Sequence, residues 1–253
     1  MLYHLLKYLA DHYSFIGDNL YESITFRSGI AFIFSLIISM IFGGKIIRKL
    51  HQLQVGETVR DLGLDGQLEK QGTPTMGGVI IVMAIIIPCL FMARLDNVYI
   101  LLMLFTTLFL AAIGFTDDYI KVFRKNKEGL SGKAKILGQV IVGLVIALTM
   151  LYSDGVLVRM NLQEAQKAGY EVIKTFPSSL EGGEIVAHVK ATLTNVPFIK
   201  DGRTDYTNWL WFLGDNAKSL VWIIFVPLVI FIVTAVSNAA NLTDGLDGLA
   251  TGV

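Results

Sequence analysis

Asp117 and Asp118 stand side by side where an apolar run ends, in the stretch AAIGFTDDYIKVFRKNKEGL (residues 111–130), and Lys121, Arg124, Lys125 and Lys127 follow them closely. On a helix Lys121 lies one turn beyond both aspartates, and Lys125 one turn beyond Lys121. An anionic pair at an apolar boundary is expensive without a cation beside it. With a basic stripe behind it, the pattern suits a phosphate ligand, whose charge the lysines would offset. Read alone, the same residues also fit ordinary interface decoration, with lysines on the cytoplasmic side of a membrane span.

Two further stretches carry residues that are poor filler for apolar segments. EKQGTPTMGG (69–78) places Thr73-Pro74 where an N-cap and a first-turn proline would open a helix. Such a helix start offers free N–H groups and partial positive charge to an anion. Gly77 and Gly78 permit close backbone approach, and no Gly-Lys-Ser/Thr follows to make a Walker loop. In NAANLTDGLDGLATGV (238–253), Asn241, Asp244 and Asp247 recur every three residues, so a helical turn or two projects them to one side. Gly245, Leu246 and Gly248 lie between and after the aspartates, the glycines leaving room for a planar ligand.

The elements that must position these residues are apolar. The chain has 253 residues, 53% hydrophobic and 17% charged, where a soluble domain is nearer a quarter charged. The windows 28–44, 71–93, 97–116, 136–153 and 219–243 contain no Asp, Glu, Lys or Arg. They are continuous and do not alternate with period two, so they read as membrane-spanning helices and not barrel strands. The fold class expected is all-α, a polytopic membrane bundle with five spans.

Charge between the windows sets an expected orientation. Loops 45–70 and 117–135 are rich in lysine and arginine, whereas the connection near Arg94 and Asp96 is short. The positive-inside rule places both basic loops in the cytoplasm, with 1–27 and 154–218 outside and 244–253 inside. All three polar stretches then share the cytoplasmic face. Leu2, Leu5, Leu6 and Leu9 share one helical face, predicting an interfacial amphipathic helix in 1–27 instead of a cleaved leader. Segment 154–218 contains LEGGEIVAHVKATLTNVPFIKDG, with strand-like alternation. It reads as a small extracytoplasmic hairpin domain or a loosely ordered insertion. Cys89, the single cysteine, sits in an apolar run and reads as packing. A net charge of zero argues against a nucleic-acid partner.

GTPTMGG, FTDDYIKV with its basic tail, and NAANLTDGLDGLA occur in an order that resembles the phospho-N-acetylmuramoyl-pentapeptide-transferase family, within the polyprenyl-phosphate N-acetylhexosamine-1-phosphate transferases. The resemblance implies a ten-span enzyme of the bacterial inner membrane with its active face in the cytoplasm. It implies transfer of phospho-N-acetylmuramoyl-pentapeptide from UDP-MurNAc-pentapeptide to undecaprenyl phosphate, giving lipid I and UMP, with Mg2+ as cofactor. It carries Asp117 and Asp118 over as the catalytic pair, and Lys70 and Thr75 as nucleotide-side positions. It also carries over Lys121, Lys125 and Lys135 as basic positions near the phosphates. Asn241, Asp244, Gly245, Leu246 and Asp247 match the uridine and ribose pocket, Asn241 doubling as a candidate metal contact. The family's later metal-binding aspartate and histidine-rich loop are not found in this chain, so the expectation is an N-terminal fragment, inactive by itself. Partners implied are the two substrates and the lipid bilayer, with a homodimer left open. Three other readings stand beside this one: a sibling transferase using UDP-N-acetylglucosamine, an ion-coupled transporter, and an inert fragment. The transporter reading is weakened because the polar residues gather at one face and not at mid-depth.

Overall fold

The computed structural model describes residues 2–13, 20–53, 76–124, 126, 128–177, 185–196 and 202–244. They form two compact units, Met1–Gly138 and Gln139–Val253. The described residues are predominantly helical, and among them four helices are long and apolar enough to cross a membrane: Ile24–Leu53, Val98–Phe123, Gly132–Tyr152 and Ala217–Thr243. Many of their large side chains lie open to the surroundings, as with Met40 at 81% exposure and Phe231 at 68%. Water would penalise such surfaces heavily, whereas lipid does not. This is a multi-pass membrane protein.

In the first unit, α1 (Leu2–His12) precedes α2 (Ile24–Leu53), α3 (Gly78–Met92) and α4 (Val98–Phe123). α5 (Gly132–Tyr152) begins in this unit and runs on into the second. Helices α2 and α3 pack antiparallel: Gly43 faces Ile80, and the Phe34 and Phe91 rings meet edge-on at 6.0 Å. The described part of α3 is 15 residues. At 1.5 Å per residue that is about 22 Å, short of a hydrocarbon core of about 30 Å. Gly77 stands at its N-cap and Met76 before it is left-handed, with φ 66°. The expected Thr73-Pro74 cap lies outside the described residues. The expected N-terminal helix is present, and Tyr3 pins it: its buried ring lies 4.8 Å from the Arg27 guanidinium and 5.3 Å from that of Arg94. Arg94 also pairs with Asp96 at 2.9 Å in the turn before α4, where the Asn97 side chain caps the helix by accepting the Tyr99 N–H.

In the second unit the continuation of α5 packs antiparallel against α8 (Trp222–Asp244). At one end Gln139 donates to Ser237 Oγ at 3.1 Å and accepts from the Asn238 amide at 3.0 Å. Midway, Gly143 lets Ile230 approach so closely that an added Cβ would stand 2.8 Å from the Ile230 Cα. At the far end Ala147, Val221 and Phe225 are buried together with Tyr206.

The described residues of 154–218 form strands and short helices. Strand β1 (Val158–Asn161) leads into α6 (Leu162–Lys167), then β2 (Val172–Pro177) and β3 (Ile185–Val189). β3 is central in an antiparallel sheet ordered β1-β3-β2, with Met160 opposite Ala187. Its inner face buries Met160, Ala165, Ala187 and Val189. Strands β4 (Leu193–Asn195) and β5 (Arg203–Asp205) form a second antiparallel pair. The Tyr170 hydroxyl donates to the Asp205 carboxylate, tying the two sheets together. A kinked 3-10 segment, Tyr206–Asn216, and the short α7 (Ala217–Leu220) then lead into α8. Among the described residues of this stretch the strands amount to more than one hairpin.

Candidate active site

The sequence window ends at Thr116, but the helix does not. α4 continues through both aspartates to Phe123, with Arg124 at the C-cap. Consecutive helical residues point about 100° apart, so adjacent carboxylates on one helix take different surroundings. Asp117 turns inward and is 8% exposed, while Asp118 is half-buried.

Asp117 is fully engaged. Its Oδ2 accepts from Lys121 Nζ at 2.7 Å, one turn on, and pairs with Lys135 Nζ at 2.9 Å from the first turn of α5. Its Oδ1 accepts the Leu130 backbone N–H at 2.7 Å. The last bond depends on Gly129, which is left-handed at φ 67°. A Cβ on Gly129 would collide with Asp117 Oδ1 and lie 2.7 Å from Lys121 Cε. The turn therefore needs glycine both for its backbone angle and for the room it leaves.

The lysines keep capacity to spare. Their side chains are 37% and 33% exposed for Lys121 and Lys135, against 11% for Asp117. Each ammonium carries three donors, and among the described residues each is committed to the one carboxylate. Two ammonium groups against Asp117 leave the cluster one positive charge in excess, which Asp118 balances from the adjacent helix position. Among the described residues Asp118 makes no hydrogen bond or ion pair. Chemically, the arrangement offers two positioned cations to an anionic oxygen and one uncommitted carboxylate to a metal ion.

The structure thus brings together Asp117, Lys121 and Lys135, with Asp118 beside them. Asn241 is exposed on the last turn of α8, in the second unit. Asp244 closes that helix. Lys70, Thr75, Lys125, Gly245, Leu246 and Asp247 lie outside the described residues. Among the described residues no cluster of three His, Cys, Asp or Glu side chains is present. Magnesium often takes only one or two protein carboxylates and completes its shell with water and substrate phosphates. Asp118 fits that requirement; Asp117, with both oxygens occupied, does not. Two parts of this site were missed from sequence, the Leu130 N–H and the Gly129 turn. The signal for them was Gly129, the first of two glycines in NKEGLSGK, lying between Lys121 and Lys135, which converge on one carboxylate.

Residues 100–253 match the model of glycosyl transferase family 4. Residues 70–82 match a signature of phospho-N-acetylmuramoyl-pentapeptide-transferase. Curated proteins with that name are similar along the whole chain. The one from Flavobacterium psychrophilum is 47% identical over 252 residues, covering 100% of this chain and 60% of that protein. Those from Parabacteroides distasonis and Bacteroides fragilis are 49% and 45% identical, each with 58% of its length covered. The chain thus spans a little under two thirds of the length of these relatives.

Proposed function

This chain belongs to glycosyl transferase family 4, and from that premise we propose that it carries the phosphoryl-transfer site of a phospho-N-acetylmuramoyl-pentapeptide-transferase. The reaction joins UDP-MurNAc-pentapeptide to undecaprenyl phosphate. An oxygen of the lipid phosphate attacks the β-phosphorus of the nucleotide, the bond from that phosphorus to the bridging oxygen breaks, and UMP leaves with the electron pair. The product is lipid I. The observation that carries this reading is the Asp117 cluster, two half-exposed ammonium groups held by one buried carboxylate at the end of an apolar helix. A water-soluble nucleotide and a membrane-bound phosphate meet at such an edge.

The chemistry joins two anions, so positioning and neutralisation dominate. Lys121 and Lys135 supply the positive charge, and Asp117 fixes where their Nζ atoms stand. Asp117 acts through the lysines. The second pKa of a phosphate monoester is about 6, so the attacking phosphate is already ionised at neutral pH and gains little from a base. Asp118 is the described carboxylate left to hold magnesium, which when bound would offset charge on the phosphates. Lys70, Thr75 and Lys125 are assigned to the phosphate and nucleotide side, and Asn241, Asp244, Gly245, Leu246 and Asp247 to uridine and ribose. The family resemblance and the signature match over 70–82 support these roles. The excess of lysine and arginine in 45–70 and 117–135 supports a cytoplasmic orientation for the site and residence in the bacterial inner membrane.

The test uses membranes from cells whose only source of the activity is the gene encoding this chain. UMP release is measured from UDP-MurNAc-pentapeptide with undecaprenyl phosphate, with magnesium and with a chelator. Magnesium-dependent release that needs both substrates is expected. Release with UDP-N-acetylglucosamine in place of the muramoyl donor, or none with either, would overturn the proposal.

A further inference from the structure

The second unit holds a cavity of about 540 Å³ at the end of the α5–α8 pair away from the Gln139–Asn238 bridge, and its lining is mixed in a particular way. Two lysines, Lys190 and Lys218, one acid, Glu171, and two threonines, Thr192 and Thr207, are among the residues that line it. Lys190 pairs at 2.8 Å with Asp154, but the Asp154 side chain is 98% exposed, so the pair is weak and exchangeable. Among the described residues Lys218 makes no ion pair.

The place matters as much as the lining. Tyr152 ends one apolar helix and Trp222 begins the other; both line the cavity, and both are about half exposed or more. Rings of that kind at span ends settle at the level of lipid headgroups. The 3-10 segment that contributes Thr207 also exposes Trp209, Trp211 and Phe212, at 53%, 81% and 64%. A cavity of mixed lining, framed by aromatic rings at the end of two spans, lies within reach of lipid headgroups.

We propose that this cavity binds the headgroup of an aminophospholipid, with the phosphate between Lys190 and Lys218 and the primary ammonium against Glu171. The acyl chains would leave along Trp222 and the apolar surface of α8. The two signs of charge in the wall favour a zwitterionic head over a purely anionic one. A free inorganic phosphate would use the lysines and leave Glu171 idle. No step of the transfer reaction enters this inference, so it stands or falls apart from the proposed activity.

Trp222 supplies the readout. In a Trp209→Phe/Trp211→Phe background it is the single tryptophan of the chain. The full chain is reconstituted in phosphatidylcholine vesicles containing a minor fraction of phosphatidylethanolamine brominated near the headgroup end of its acyl chains. Trp222 quenching beyond the mole fraction of that lipid is expected, with loss of the excess in both Lys218→Ala and Glu171→Gln. Three results would each overturn the proposal. They are quenching no greater than mole fraction, stronger excess quenching by brominated phosphatidylglycerol that survives Glu171→Gln, and displacement of the brominated lipid by millimolar inorganic phosphate.

Discussion

The end of α4 and the seam between α5 and α8 both place polar groups among apolar helices, and they do so in opposite ways. At the end of α4 the polar groups are ionic: one buried carboxylate, two lysines and a backbone N–H. In the seam they are neutral: Gln139 reaches Ser237 and Asn238, and Asn238 also donates to the Thr234 carbonyl at 2.8 Å. The amides spend their main donors and acceptors on one another and on the helix. The lysines, a third exposed, keep donors and positive charge available. A neutral, closed bridge fixes helix register. An ionic, open cluster can receive an anion. The contrast separates a closed polar network from an open one more sharply than burial does, since Asp117 and Gln139 are 8% and 7% exposed.

The comparison breaks most visibly at Asp117. Asp117→Asn keeps the shape and the Leu130 bond but removes the counter-charge of both lysines. Weakening charge-assisted bonds to two partly exposed lysines costs about 1.5–3 kcal/mol, and misplacing two transition-state cations costs about 100-fold or more in rate. Both the thermal midpoint in detergent and UMP release should fall. Normal activity in this variant would show that the lysines need no organiser.

Asp118→Asn should separate from it. Asp118 has no described hydrogen bond or ion pair to lose, so the midpoint should move far less than in Asp117→Asn. Turnover should drop by about tenfold or more, as for removal of one electrostatic contributor, and half-maximal rate should require more magnesium. An unchanged magnesium titration would remove Asp118 from the metal.

Gln139→Leu probes the other side of the contrast. Asn238 retains its Thr234 acceptor, so the loss should be about 1 kcal/mol, read as a lowered midpoint with the magnesium titration unmoved. A change in that titration would erase the distinction between the two networks.

The smallest effect lies in the sheet region. Burial, with the Asp205 carboxylate next, raises the Tyr170 phenol above its ordinary value. The neutral phenol is favoured by folding, so this stabilisation is constant below about pH 10 and is lost as pH rises beyond it. Tyrosinate absorbance of the native chain minus that of Tyr170→Phe should show no contribution from Tyr170 until well above the ordinary tyrosine range. An ordinary titration would mean the Tyr170–Asp205 bond is not maintained.

Much of this was legible along the chain. Windows free of charge mark the long helices, because lipid tolerates continuous apolar runs and penalises nearly everything else. The pairing of Asp117 with Lys121 follows from helical spacing. The alternation in 185–195 marked strands, though their order β1-β3-β2 was beyond reach, since pairing partners are distant in sequence.

What the sequence by itself determined is the membrane class and the family, because hydropathy and motif order are local properties. What only the tertiary structure decided is the division of labour between two adjacent aspartates. It took the Gly129 turn, the Leu130 N–H and Lys135 on the next helix to occupy Asp117 completely and leave Asp118 uncommitted. The physical reason is that a carboxylate's role depends on what fills its lone pairs, and here two of the three groups that do so arrive from beyond its own helix.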